Sequence, residues 1–153
     1  MTNQEKLKIL MDENIKLLMK ASDQLTISLE RCQPIDLHKD NLTIEEQEKL
    51  EALTGRFARL SDRILQKSLR LIEQIELEDM GSILDRIYKA EKKGLIDSAE
   101  EFIEIRQLRN SIAHDYDVNT LKRIFSSCIK YSPALIVSVQ MIIDYAKNTN
   151  FSK

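Results

Sequence analysis

The segment RNSIAHDY, at positions 109–116, brings together side chains that are suited to phosphate chemistry. Arg109 carries a permanent charge and a planar fork of N–H donors that matches the oxygens of a phosphate group. His114, one of only 2 histidines in the chain, can accept or give up a proton near neutral pH. Asn110 adds hydrogen-bonding groups and Tyr116 adds a phenolic hydroxyl. These residue types together point to the binding or cleavage of a phosphodiester.

The spacing of apolar residues before this motif predicts a helix that runs through it. An α-helix turns about 100° per residue, which places four apolar side chains on one face: Phe102, Ile105, Leu108 and Ile112. Arg109 and Tyr116 are predicted to project from the same face, and Asn110 and His114 from its flank. Arg106 lies between the flank and the apolar face, which makes it a candidate RNA-binding residue.

Arg109 is unusual because an apolar stripe rarely contains an arginine unless the charge is paired or needed for function. One interpretation is an ion pair with an Asp or Glu of another helix, and a second is a side chain that extends its charged end into solvent. The third is a phosphate-binding group in a functional site. In the same way, His114 can be an ordinary surface residue and Tyr116 a core ring with its hydroxyl at the edge. Composition and spacing leave these interpretations open.

Other polar clusters in the chain have simpler interpretations. His38 lies near Asp36 and Asp40, but a metal site there would need more ligands than the segment offers, so a solvated loop is favoured. Four acidic residues are interpreted as a solvated helix end: Glu73, Glu76, Glu78 and Asp79. Five basic residues could extend an RNA path but are more typical of a protein surface: Lys89, Lys92, Lys93, Lys122 and Arg123. Ser111 has no adjacent base, so we do not interpret it as a nucleophile.

The overall composition predicts a single domain, 1–153, that can bury a core without disulfides or metals. The net charge of −2 argues against a generally basic nucleic-acid-binding protein but allows a local basic pocket. With only 3 glycines, a Gly-rich phosphate loop is not expected. Cys32 and Cys128 are isolated, which predicts reduced, partly buried thiols in a cytoplasmic protein.

No membrane segment is expected from the sequence. The N-terminus lacks the basic and then apolar pattern of a signal peptide. The longest apolar run, at 134–143, is too short to span a bilayer and contains Gln140.

Helical periodicity covers almost the whole chain. Apolar residues recur every three or four positions in stretches bounded by Leu7 and Cys32, by Leu50 and Ile75, and by Ile124 and Ala146. A short helix between the last two stretches is predicted to turn four side chains inward: Ile83, Leu84, Ile87 and Ala90. We therefore predict an all-α fold, an antiparallel up-and-down bundle of four or five helices.

Local signals predict where the helices begin and end. Thr43 with Glu46 and Ser98 with Glu101 match the sequences that cap helix starts, and Gly94 matches a helix end. Breaks are predicted after Cys32 and at Asp117, Val118 and Asn119, and Pro133 is predicted to kink the last helix or split it in two.

The motif and its surroundings resemble one known family. Arg-x4-His-x-Tyr, with Asn directly after the Arg, is similar to the signature of HEPN-domain proteins, and most similar to the HepT-like toxins encoded beside a minimal nucleotidyltransferase. The resemblance extends over GRFARLSDRILQKSLRLIE at 55–73 and ILDRIYKAEKKGLIDSAEEFIEIRQLRNSIAHDY at 83–116. The family fold is an all-α bundle. All four key residues of the motif are present in this chain.

The resemblance implies a metal-independent endoribonuclease toxin that needs no cofactor. His114 would activate the ribose 2′-hydroxyl or protonate the leaving 5′-oxygen, Arg109 would bind the phosphate, and Asn110 would orient one of them. Family members usually form a homodimer in which two motifs face one cleft. A cognate nucleotidyltransferase antitoxin would neutralise the toxin, by transfer of AMP to Tyr116. Because some relatives bind nucleotidyltransferases without cleaving RNA, a non-catalytic binding subunit is the alternative.

Overall fold

The computed structural model describes residues 1–114 and 116–151, and within them every regular element is a helix. The six α-helices are α1 (Asn3–Cys32), α2 (Ile44–Asp62), α3 (Leu69–Ile75), α4 (Ile83–Lys93), α5 (Ala99–Ile112) and α6 (Val118–Asn148). A π-helical segment, Arg63–Ser68, joins α2 to α3, so that these three elements follow one another without a loop. The predicted all-α class is therefore confirmed.

The local signals account for most helix boundaries. Thr43 accepts a hydrogen bond from the Glu46 backbone N–H, and the Glu46 carboxylate accepts one from the Thr43 N–H, which confirms the predicted capping box. Ser98 caps α5 through the N–H of Glu101. Gly94 ends α4 with a φ of 77°, a left-handed conformation that glycine adopts without strain.

Two predictions about apolar and proline positions need correction. Leu84 does not face inward but is 45% exposed, because α4 buries the side that carries Ile87 and Ala90. Pro133 does not split the last helix, since α6 continues from Val118 to Asn148. A proline has no backbone N–H, so the hydrogen bond to the Ile129 carbonyl is missing, but α6 packs on the core on either side of Pro133, through Cys128 and Leu135.

The core is one cluster to which every helix contributes. The α2–α3 rod is the continuous helical segment 44–75, and helix α1 runs antiparallel to it. Hydrogen bonds show this orientation: one joins Cys32 to Lys49 near one end, and another joins Asn14 to Ser68 near the other. Both cysteines are free and fully buried rather than partly buried, and burial raises the pKa of Cys128 to about 12.

Helix α6 is the one described helix that is long and apolar enough to cross a membrane by length and composition. The core helix of a soluble protein meets the same criterion, and α6 places Leu135, Val139 and Ile142 in the core. This is weak evidence for a membrane span, and the absence of membrane segments stays a prediction.

A buried ion pair ties α3 to α4 and corrects the interpretation of the acidic cluster. Glu73 is 3% exposed and accepts a hydrogen bond of 2.7 Å from Nε of Arg86, which is 7% exposed. Arg86 Nη1 also donates to the Leu65 carbonyl in the π-helical segment. Glu76 is half-buried and accepts from Lys93 and from the Tyr145 hydroxyl. The predicted solvated helix end is therefore wrong for both glutamates, because basic residues of α4 pack against them.

The buried pair gives a stability prediction. Arg86→Met should lower the free energy of unfolding by about 3–5 kcal/mol, because it leaves the Glu73 carboxylate buried without its charged partner. Urea denaturation of the full chain measures this change. The double variant with Glu73→Met should recover most of the loss, and a double variant no more stable than Arg86→Met alone would contradict the uncompensated charge as its cause.

Candidate functional site

Arg109 lies in the last turn of α5 and is paired within its own chain. Its Nε and Nη2 donate to the two carboxylate oxygens of Asp62, at 2.8 Å and 2.9 Å. Asp62 is the last residue of α2, where the π-helical segment begins. The ion pair raises the pKa of Arg109, chiefly through these hydrogen bonds. Of the interpretations left open by the sequence, an ion pair with another helix is the one observed.

The ion pair still leaves binding capacity on the guanidinium. Arginine has five N–H donors, and two of those of Arg109 go to Asp62. Among residues 1–114 and 116–151, no other acceptor takes a hydrogen bond from Arg109. The side chain is 29% exposed. Asp62 therefore orients the guanidinium without using all of it.

The helix that carries the motif ends earlier than the sequence predicted. Helix α5 stops at Ile112, and His114 and Tyr116 lie in the connection to α6. Val118 and Asn119, predicted to lie in a break, are already the first residues of α6. The start of α6 has a physical reason in Asp117, whose side chain accepts a hydrogen bond of 2.8 Å from the Thr120 N–H and caps this helix.

Because of this early end, one helical wheel cannot describe the four motif residues. Arg109 and Asn110 are on α5, whereas the backbone N–H of His114 donates to the Ser111 carbonyl in the turn that follows. Asn110 and His114 are exposed, and Tyr116 is half-buried against the core. The rings of His114 and Tyr116 meet edge to face, with centroids 6.2 Å apart.

The structure thus brings the rings of His114 and Tyr116 into contact. It pairs Arg109 with Asp62, a residue that was not a candidate from the sequence. Arg106 is half-buried on α5 and makes no hydrogen bond or ion pair to another described side chain. The sequence did not identify Asp62 as the partner of Arg109, because the two residues are 47 positions apart. The one indication was that Asp62 is a carboxylate beside the apolar stripe of the second helix.

The other predicted candidates are placed as follows. In the described part of the chain, no group of three or more His, Cys, Asp or Glu side chains could hold a metal ion. His38 is exposed in the loop after α1, as expected for a solvated loop. Lys93 is paired with Glu76 and Glu78, whereas Lys92 is exposed. Lys122 and Arg123 lie together in the first turns of α6.

Comparisons with known proteins do not place the chain in a family: no family model, no curated protein and no solved structure matches it.

The Arg109–Asp62 pair can be tested by a double-mutant cycle. Asp62→Asn and Arg109→Gln should show a coupling of about 0.5–1 kcal/mol in the free energy of unfolding, which decreases at high salt because the pair is partly exposed. The matched control combines Arg109→Gln with Glu100→Gln, an exposed carboxylate elsewhere on α5, and should show no coupling. Additive effects in both cycles would contradict the intramolecular pair.

Proposed function

We propose that this chain is a metal-independent endoribonuclease toxin whose site is formed by Arg109, Asn110 and His114. The observation that supports this function is the geometry of Arg109. A bidentate contact with Asp62 fixes its guanidinium, and no other described residue accepts a hydrogen bond from it. His114 follows in the exposed connection between α5 and α6. An oriented arginine and an imidazole on one short segment are suited to a phosphodiester.

The proposed reaction needs only groups of the protein and the RNA. His114 takes the proton of a ribose 2′-hydroxyl, whose oxygen attacks the adjacent phosphorus. The bond from phosphorus to the 5′-oxygen breaks, and that oxygen receives a proton as it leaves. Arg109 donates hydrogen bonds to the phosphate oxygens, on which negative charge increases in the transition state. Asn110 orients the imidazole or the phosphate. The products are a 2′,3′-cyclic phosphate and a 5′-hydroxyl end.

A homodimer would complete this site. Two motifs that face one cleft provide two copies of His114, one as the base and one as the acid. We further propose that the helices form an antiparallel up-and-down, HEPN-like bundle, a single domain in a cytoplasmic protein. The antiparallel contact between α1 and the α2–α3 rod is consistent with this arrangement.

The second candidate function is a non-catalytic subunit that binds a nucleotidyltransferase. Two observations favour it. Asp62 already neutralises much of the charge of Arg109, and the chain has a net charge of −2, which is low for an RNA-binding protein. In this case the partner would bind the same surface, with or without transfer of AMP to Tyr116.

The ribonuclease proposal predicts that the purified chain cleaves RNA in the presence of EDTA. His114→Ala should lower the rate by about 10²-fold or more, because proton transfer to or from the imidazole is lost. Gel analysis of labelled RNA measures cleavage, and mass spectrometry identifies the cyclic phosphate. Gln107→Ala, at an exposed residue of α5, is the control and should keep full activity.

Two further results separate the mechanism from a contaminating nuclease. RNA with a 2′-deoxyribose at the cleavage position should resist, because it lacks the attacking hydroxyl. Retained cleavage by folded His114→Ala would overturn the assigned mechanism.

The partner proposal predicts a modification at Tyr116. Co-expression with a minimal nucleotidyltransferase encoded beside the gene should add AMP to Tyr116, detected by mass spectrometry of the peptide. The added phosphate would place negative charge beside His114, since the two rings are in contact, and would repel an RNA backbone. Tyr116→Phe keeps the ring but removes the acceptor oxygen, so it should not be modified. AMP found only on another residue would contradict the assignment.

A further inference from the structure

A cavity of about 590 Å³ lies between the loop after α1 and the first turns of α6. One wall is formed by residues of the segment 35–40, and the other by residues that include Asn119, Lys122 and Arg123. A volume of this order is typical of cavities that bind small molecules or cofactors. In the sequence alone, the histidine of this loop and the basic residues of α6 are separate surface features.

The loop wall is held in place by hydrogen bonds. Lys122 Nζ donates to the carbonyl oxygens of Lys39 at 2.6 Å and of Asp40 at 3.4 Å, which ties the loop to α6 across 83 residues of sequence. Within the loop, the backbone N–H of His38 donates to Asp36 Oδ1 at 2.9 Å, which stabilises a turn. The cavity is therefore built by contacts that fix both of its walls.

The lining combines three kinds of group that one nucleotide needs. Lys122 and Arg123 supply positive charge, and Arg123 is exposed and donates a weak hydrogen bond of 3.4 Å to the Thr120 hydroxyl. Half-buried Ile35, Leu37 and Ile129 supply apolar surface. Asp36 and Asp40 supply carboxylate acceptors for N–H groups. Phosphate oxygens fit the cations, and a base fits the apolar surface beside the carboxylates.

The position of the cavity connects it to the motif. Helix α6 begins two residues after Tyr116, so the Cα atoms of Tyr116 and Lys122 are at most about 13 Å apart along the chain. The cavity therefore begins within about 13 Å, along the chain, of the tyrosine whose ring contacts His114.

The geometry points to a nucleotide-binding site in which Lys122 and Arg123 hold a phosphate and Ile35, Leu37 and Ile129 contact the base. This inference rests on the proposed ribonuclease function, for which the cavity would bind a nucleotide next to the cleaved bond. It also identifies the structural element that would select the RNA sequence, since Asp36 and Asp40 can distinguish bases by their N–H groups.

The test uses the full wild-type chain and the four nucleoside 5′-monophosphates, observed by NMR of the histidine ring protons. The chain has only 2 histidines, so variants at His38 and at His114 assign the two signals. Saturable shifts of the His38 signal are expected, with a Kd in the millimolar range and a preference among the four bases. Arg123→Ser should weaken binding by about tenfold, since it removes a charged phosphate contact.

Controls define what would overturn the inference. Arg70→Ser removes the same charge from an exposed residue of α3 in a different groove, and should leave the Kd unchanged. No shift of His38 with any nucleotide, or equal binding of inorganic phosphate, would overturn it. Binding does not depend on cleavage, so the two proposals fail separately. Nucleotide binding by a chain that cuts no RNA would contradict only the ribonuclease function, and cleavage without nucleotide binding only this site.

Discussion

The bidentate contact between Arg109 and Asp62 is the interaction on which the presentation of the motif depends. It joins the last turn of α5 to the last residue of α2, and it fixes the guanidinium just before the chain leaves the helix. A carboxylate that accepts hydrogen bonds from two N–H groups of an arginine restricts the rotation of the guanidinium. The other N–H groups of the guanidinium then point away from that carboxylate. The same contact therefore joins α5 to α2 and fixes the orientation of the guanidinium.

The π-helical segment next to Asp62 makes a second constraint. The wider turn leaves backbone carbonyls that need new partners, and side chains supply them. Arg86 donates to the Leu65 carbonyl, and the Ser68 hydroxyl donates to the Arg63 carbonyl while it accepts from Asn14. Segments of this type often occur at functional sites. Here the segment starts at the residue after the partner of Arg109, and buried polar contacts from α1 and α4 hold it.

The connection between α5 and α6 combines the proposed chemistry with the proposed selection of a substrate. His114 and Tyr116 are in this connection, and the cavity with Lys122 and Arg123 lies along the helix that follows. Asp117 sets where this connection ends, because its side chain caps the first turn of α6. Its hydrogen bond to Thr120 lowers the pKa of Asp117, so the carboxylate stays ionised as a cap.

The sequence by itself determined the helices and most of their ends, because apolar spacing and capping contacts such as Thr43 with Glu46 act over a few residues. It also singled out Arg109 and His114 by residue type. It missed the Asp117 cap, although an Asp directly before the apolar spacing of the last helix is a visible signal. Tertiary structure alone decided that Asp62 pairs with Arg109, that Glu73 is buried on Arg86, and that the loop after α1 meets α6. These contacts join residues far apart in sequence, and their energy depends on how whole helices pack, which no local pattern records.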